Sequence, residues 1–296
     1  MRVGLILGGG GEVGVAWEIG VLAALESEAG FEARTSAVIA GTSAGAIVGA
    51  YAAQGRAMAE LAELERRGRG VPVGAGFGAD PAVGGGDDQA DAPAIPDEII
   101  SALMSADGTL EERGARLGTL ALQAPVSLDE AVFVDGFRTM LGTDAWPGVD
   151  FRPTTVNAES GETTLWDRGS GIGLAAAVAS SCAVPGVFPP VEFEGRHFID
   201  VPRRPFAGDL VKSESLEAII FVGLILPILA NNNEQKDELA EQARGGLEVV
   251  TVTGGPDVDA ISADLLDHSA RVRAVEVGLD DGRRAADAIR NQLSPA

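Results

Sequence analysis

The chain has little cysteine, histidine, lysine or aromatic side chain, and no long apolar run. Its single cysteine, Cys182, excludes an internal disulfide. Lysine occurs only at Lys212 and Lys236, so nearly all positive charge is arginine. Acids outnumber bases 44 to 22, a net charge of −22. So acidic a surface repels phosphate backbones; it argues against nucleic-acid binding and against electrostatic docking on anionic lipid. A salt-rich cytoplasm would suit this composition, and a high-GC coding bias accounts for it equally well. The longest apolar stretch, 218–230, is interrupted by Gly223 and Pro227. It is too short to span a bilayer and reads as a buried strand with its exit. Arg2 precedes only Val3–Leu7 before four glycines, which is no signal peptide. A cytoplasmic location is the expectation.

What is present describes a globular protein. The 296 residues are 46% hydrophobic and 22% charged, enough for a large core. The 40 glycines cluster without a Gly-X-Y period, which excludes collagen. Arg2–Leu7 reads as a strand, Gly8–Gly11 as a tight turn and Val15–Glu26 as a helix. Ser36–Ala40 reads as a second strand, followed by a sharp turn at 41–45 and a small-residue helix over Ala46–Gln54. This β-turn-α-β-turn-α order implies parallel strands with right-handed crossovers. Gly68–Asp97, rich in Gly, Asp, Ala and Pro, is expected to be a mobile surface loop or lid, or an insertion with no role. Ser127–Glu130 has a capping-box pattern opening a helix that stops at Gly142. Hairpins are expected around Ser160-Gly161 and Glu194-Gly195, and a helix over Leu174–Ser181. Further strands are expected over Leu216–Leu226 and Leu247–Thr253, and a closing helix over Gly282–Leu293. The fold class expected is α/β: one three-layer domain over residues 1–296, with a central, mostly parallel sheet and helices on both faces.

Gly41-Thr42-Ser43-Ala44-Gly45 fits Gly-x-Ser-x-Gly. A nucleophilic serine needs a strained strand-to-helix turn that lifts its hydroxyl clear of the sheet. The following helix would add its dipole against developing negative charge. The alternative is an ordinary turn with Ser43 as an N-cap. Gly8–Gly14 also joins a strand to a helix, and two functions compete for it. As Gly9-x-Gly11-x-x-Gly14 it matches a dinucleotide fingerprint, but no acidic residue ends the second strand to hold a ribose. As an oxyanion hole, its backbone N–H groups would face the carbonyl that Ser43 attacks. A packing turn is the third reading.

A serine nucleophile needs a base, and the chain has only His197 and His268. A Ser43–Asp200–His268 triad can be written, but too few strands precede Ser43 for that fold. His268 sits in a polar stretch that reads as a solvated helix face. His197 lies an odd number of strand residues from Asp200, on the opposite face. Both histidines are therefore expected at the surface or an edge. Asp200, ending the apolar Phe198-Ile199, stands where a site residue would sit. A dry pocket would raise its basicity.

Four segments together resemble the bacterial patatin-like phospholipases: Leu7–Gly14, Gly41–Gly45, Ala179–Val191 and Gly195–Asp200. The third, with its Pro-Gly and Pro-Pro spacing, is the most specific. The resemblance implies a Ser–Asp dyad without catalytic histidine, acting on lipid acyl esters through an acyl-enzyme. It maps the nucleophile to Ser43, the base to Asp200 and the oxyanion hole to Gly9, Gly10 and Gly11. Val184, Val187 and Phe188 become candidates for the acyl pocket. No metal or organic cofactor is implied; the partner is a lipid or fatty-acyl ester, with transient membrane contact and no transmembrane segment. Two departures stand out. The family has glycine after the base, where this chain has Val201-Pro202, and a cation before the last glycine of the first motif, where it has Val13. Val201 cannot cheaply take a positive φ. An inactive lipid-binding relative is thus one alternative, and a nucleotide-binding α/β protein another. Head group, chain length and oligomeric state are not legible.

Overall fold

Val3–Leu7 (β1) is a five-residue apolar run buried along its whole length, as a central parallel strand must be. The computed structural model describes residues 1–70, 95–201, 207–224, 231–255, 257–258, 261 and 265–293. These fall into two compact units: Met1–Val71 with Pro147–Pro153 and Arg204–Ala296, and Pro72–Trp146 with Thr154–Arg203. The fold is α/β, with a central, mostly parallel sheet flanked by helices.

In the first unit β1 pairs in parallel with Val38–Gly41 (β2) and with Ala218–Val222 (β7). Glu248–Val252 (β8) continues from β7, and residues 151–153 of Phe151–Asn157 (β3) lie beside β2, all parallel. The order β3-β2-β1-β7-β8 puts β1 at the centre. Its turn to the helix Gly11–Ala24 (α1) therefore leaves from the carboxyl edge of the sheet, where α/β sites form. β2 leads into Ala44–Ala53 (α2), buried throughout. Met58–Arg66 (α3) follows, and Ala207–Glu214 (α8) and Asn231–Arg244 (α9) flank β7 in sequence.

α1 has no polar face; every residue after Gly11 is buried. Helix Arg271–Leu293 (α10) packs on it at backbone range. A β-carbon added at Gly278 would stand 2.1 Å from the Trp17 carbonyl oxygen, so only glycine permits this approach. The Trp17 indole N–H donates to Asp281 at 2.8 Å across the same contact. The closing helix expected from Gly282 thus begins eleven residues earlier, at Arg271. Its first half carries enough charge to mask the apolar stripe of Ala274, Val275 and Val277.

In the second unit residues 154–157 of β3 pair antiparallel with Thr163–Leu165 (β4) and with Arg196–Ile199 (β6). β6 pairs with Val191–Phe193 (β5) through Glu194 and Gly195, both at positive φ, which suits a two-residue hairpin turn. Asp97–Met104 (α4) and Leu110–Gln123 (α5) were not read as helices from the sequence. Glu130–Leu141 (α6) and Leu174–Ser181 (α7) were. The capping box expected at Ser127 does not form. Asp129 is the cap, accepting from the Ala131 and Val132 N–H groups, while Glu130 is drawn off to the Glu192 N–H at 2.8 Å. A complete box forms instead at Thr109 and Glu112, opening α5. The expected loop over 68–97 falls mostly on residues 71–94, outside the described residues, as do 202–206 after Asp200 and 225–226 of the strand expected over Leu216–Leu226.

Candidate active site

The glycine turn and the Ser43 turn are stitched together by backbone hydrogen bonds. Gly8 donates to the Val222 carbonyl at 2.8 Å, prolonging the β1–β7 ladder. The Gly8 carbonyl in turn accepts the Gly45 N–H at 2.9 Å, and the Leu7 carbonyl accepts the Thr42 N–H at 3.2 Å. Gly45 is required here: a β-carbon would lie 2.5 Å from Leu7 backbone atoms. The two turns that leave the adjacent strands β1 and β2 are thereby held side by side.

Ser43 has φ 55° and ψ −116°. Only three described non-glycine residues have positive φ. Such a conformation costs a serine about 1–3 kcal/mol and persists only where the surroundings impose it. Its hydroxyl does not cap α2, so the ordinary N-cap reading is set aside. Ser43 is partly exposed while the helix behind it is buried.

Gly9, Gly10 and Gly11 follow directly. Among the described residues, no acceptor takes their N–H groups; the first amides of the turn already committed are those of Gly8, Val13 and Gly14. The Ala44 N–H is likewise uncommitted, a donor next to the serine that was not singled out from the sequence. Uncommitted donors beside a strained serine are what an oxyanion site is made from.

Asp200 belongs to the second unit. It is 4% exposed at the end of β6, and its N–H donates to the Ala183 carbonyl at 2.9 Å. Thr155 fixes the strand end, its hydroxyl lying 2.9 Å from the Ile199 carbonyl and 3.1 Å from that of Ser180. Neighbouring Cys182 is buried; burial first, and the Asp200 charge second, push its thiol well up and keep it un-ionised. Val201 is buried in an apolar cluster with Ile99, Leu117 and Ile199, and its φ is not positive. Val187 and Phe188 are buried, Phe188 stacking on Phe133 at 4.9 Å, and Val184 is half-buried. A groove of about 740 Å³ between α6, α7 and β5 includes none of these three.

The histidines divide. His197 lies on β6 between β5 and β3, its side chain partly exposed and paired with Glu159 at 2.8 Å. His268 is not on a solvated helix face: it is one-third exposed in a short 3₁₀ turn, with Nδ1 2.6 Å from buried Glu12. Glu12 also meets buried Arg271 at 3.1 Å, and Arg271 forks to buried Glu65. Glu18, fully buried in α1, is another charged residue that sequence reasoning missed. A helix with no polar face was the signal, because its acids can only point inward. Among the described residues no group of three or more His, Cys, Asp or Glu side chains is placed to hold a metal.

The chain belongs to the patatin-like phospholipase family, whose model matches residues 5–71 and 85–200. Both turns and Asp200 fall inside that match, and family membership supports lipid hydrolase activity. No curated protein matches the chain. Among solved structures, it is similar to VipD from Legionella pneumophila at 14% identity and TM-score 0.46, covering 97% of this chain and 67% of that one. It is also similar to the type III effector protein ExoU at 16% identity and TM-score 0.41, covering 98% of this chain and 53% of ExoU. Among the described residues, no helix is long and apolar enough to cross a membrane.

Proposed function

We propose that the protein is a serine esterase acting on acyl esters of lipids. Ser43 attacks the acyl carbon while Asp200 takes its proton. The carbonyl oxygen becomes an oxyanion held by the Gly9, Gly10 and Gly11 amides. Collapse of the tetrahedral intermediate breaks the ester bond; the alcohol leaves with the proton from Asp200. Water then attacks the acyl-enzyme with Asp200 again as base, releasing a fatty acid and restoring Ser43. Val184, Val187 and Phe188 contribute to the acyl side of the site, and the lipid is met by transient contact with a membrane or micelle.

One observation carries this reading: Ser43 holds a strained positive φ beside uncommitted glycine amides. A packing turn has no use for either feature. A nucleotide site is less well supported, because β2 ends in Gly41 without an acid. The buried Val201, whose φ is not positive, favours a second reading, a lipid-binding relative without turnover. Incubation with short- and long-chain nitrophenyl esters and with a phospholipid, with released fatty acid measured by mass spectrometry, separates the two. Release that disappears in Ser43→Ala supports the esterase. Fatty-acid binding with no release by the wild type supports the inactive relative.

A further inference from the structure

Glu12 poses an electrostatic problem. It is the residue after Gly11, in the first turn of α1, and is 3% exposed. A buried carboxylate this close to the turn opposes the build-up of a second negative charge on the glycine amides. Its partners come from far along the chain. Arg271 Nη1 lies 3.1 Å and His268 Nδ1 2.6 Å from the same oxygen, Glu12 Oε2. Arg271 is itself 2% exposed and fixed from its other edge by Glu65 of α3, with Nε 3.0 Å from Glu65 Oε2. The same segment touches the turn's backbone: the Leu265 carbonyl accepts the Val13 N–H at 3.1 Å. A β-carbon on Gly11, which has φ 58°, would fall 2.5 Å from that carbonyl oxygen. Residues 265–271 thus grip the turn by one backbone and two side-chain contacts. α10, packed on α1 at backbone range, anchors the grip.

We propose that Arg271 is a positioning residue for the Gly9–Gly11 turn. Acting through Glu12, it cancels the carboxylate's charge and holds the turn in the conformation that leaves its amides uncommitted. His268 supplies the second contact to Glu12. The kinetic part of this proposal rests on the esterase reading; the conformational part does not.

The test pairs amide hydrogen exchange with ester kinetics on the full chain, well below the melting temperature. Arg271→Gln removes the charge, and Arg271→Lys keeps the charge without the fork. Exchange is expected to quicken at Val13 and Gly14, whose N–H groups are given to the Leu265 and Gly10 carbonyls, while β1 and β7 stay protected. kcat falls about 100-fold in Arg271→Gln and about 10-fold in Arg271→Lys, within the range for a disturbed oxyanion site, with KM moved less than about 3-fold. Adding Glu12→Gln to Arg271→Gln recovers about 10-fold, because the uncompensated charge is gone. Unchanged exchange at Val13 and Gly14 in a folded variant overturns the proposal. So does exchange that quickens equally along α1, α3 and α10 with kcat unchanged, the mark of a purely structural network. Should Arg271→Gln not fold, Arg271→Lys decides by the same criteria. A wild type that hydrolyses no ester refutes the esterase reading, and the exchange result still decides the positioning claim.

Discussion

Replacing Ser43 by glycine is expected to stabilise the chain while ending ester hydrolysis. The backbone at φ 55°, ψ −116° is strained for serine and ordinary for glycine, so relief of about 1 kcal/mol should appear as a higher urea midpoint. Loss of stability in that variant would mean the turn is not strained. Glu18 makes a second case. It is fully buried, neither oxygen has a hydrogen-bond partner among the described residues, and burial pushes its carboxyl well above 4.5. The Gly8 N–H, already given to Val222, offsets this only in part. The folded state therefore keeps a proton that the unfolded chain releases. Glu18's contribution to stability is full below about 4.5 and is lost as pH rises from there through the raised folded value. Glu18→Gln should remove that decline, so its advantage over wild type in urea unfolding grows as pH rises above about 4.5. A constant difference would contradict the account. Ser43 and the glycines were legible because their chemistry is local. Glu12, Glu65, His268 and Arg271 were not, because their meaning depends on contacts between residues as many as 259 positions apart.

Among the elements, α10 against α1 is the contact with least tolerance. Gly278→Val would drive two methyl groups into the Trp17 carbonyl and is expected to cost more than about 3 kcal/mol, beyond the usual overpacking range. The Thr109 cap is a milder case: Thr109→Ala loses the capping box of α5 and should cost about 1 kcal/mol by denaturant unfolding. Values near zero for either would show the contact to be slack. These elements were unequally visible in the sequence. β1, β2 and the turns after them announced themselves, since a buried apolar run ending in glycines has few other readings. α7 was legible from its small residues and flanking breakers. α4, α5 and the first half of α10 were not, because charge on their outer faces hides a narrow apolar stripe. Glu130 had the right spacing to close a capping box and was recruited by Glu192 instead, a choice that tertiary structure makes.

Over the whole chain, a net charge of −22 with only 22 basic residues to offset 44 acids means self-repulsion. Screening should relieve it, so the melting temperature is expected to rise between about 0.05 and 1 M salt, where the Debye length falls from over 10 Å to about 3 Å. A falling melting temperature would place the balance with attractive ion pairs. The same charge predicts that any association with lipid favours zwitterionic over anionic vesicles, read by co-sedimentation. The central claim is chemical, that Ser43 is a nucleophile served by Asp200, and covalent labelling tests it most directly. With a fluorophosphonate, peptide mapping should find one adduct, on Ser43, and Asp200→Asn should slow its formation by at least about 100-fold. An unlabelled Ser43, or an Asp200→Asn variant that labels at the wild-type rate, would contradict it.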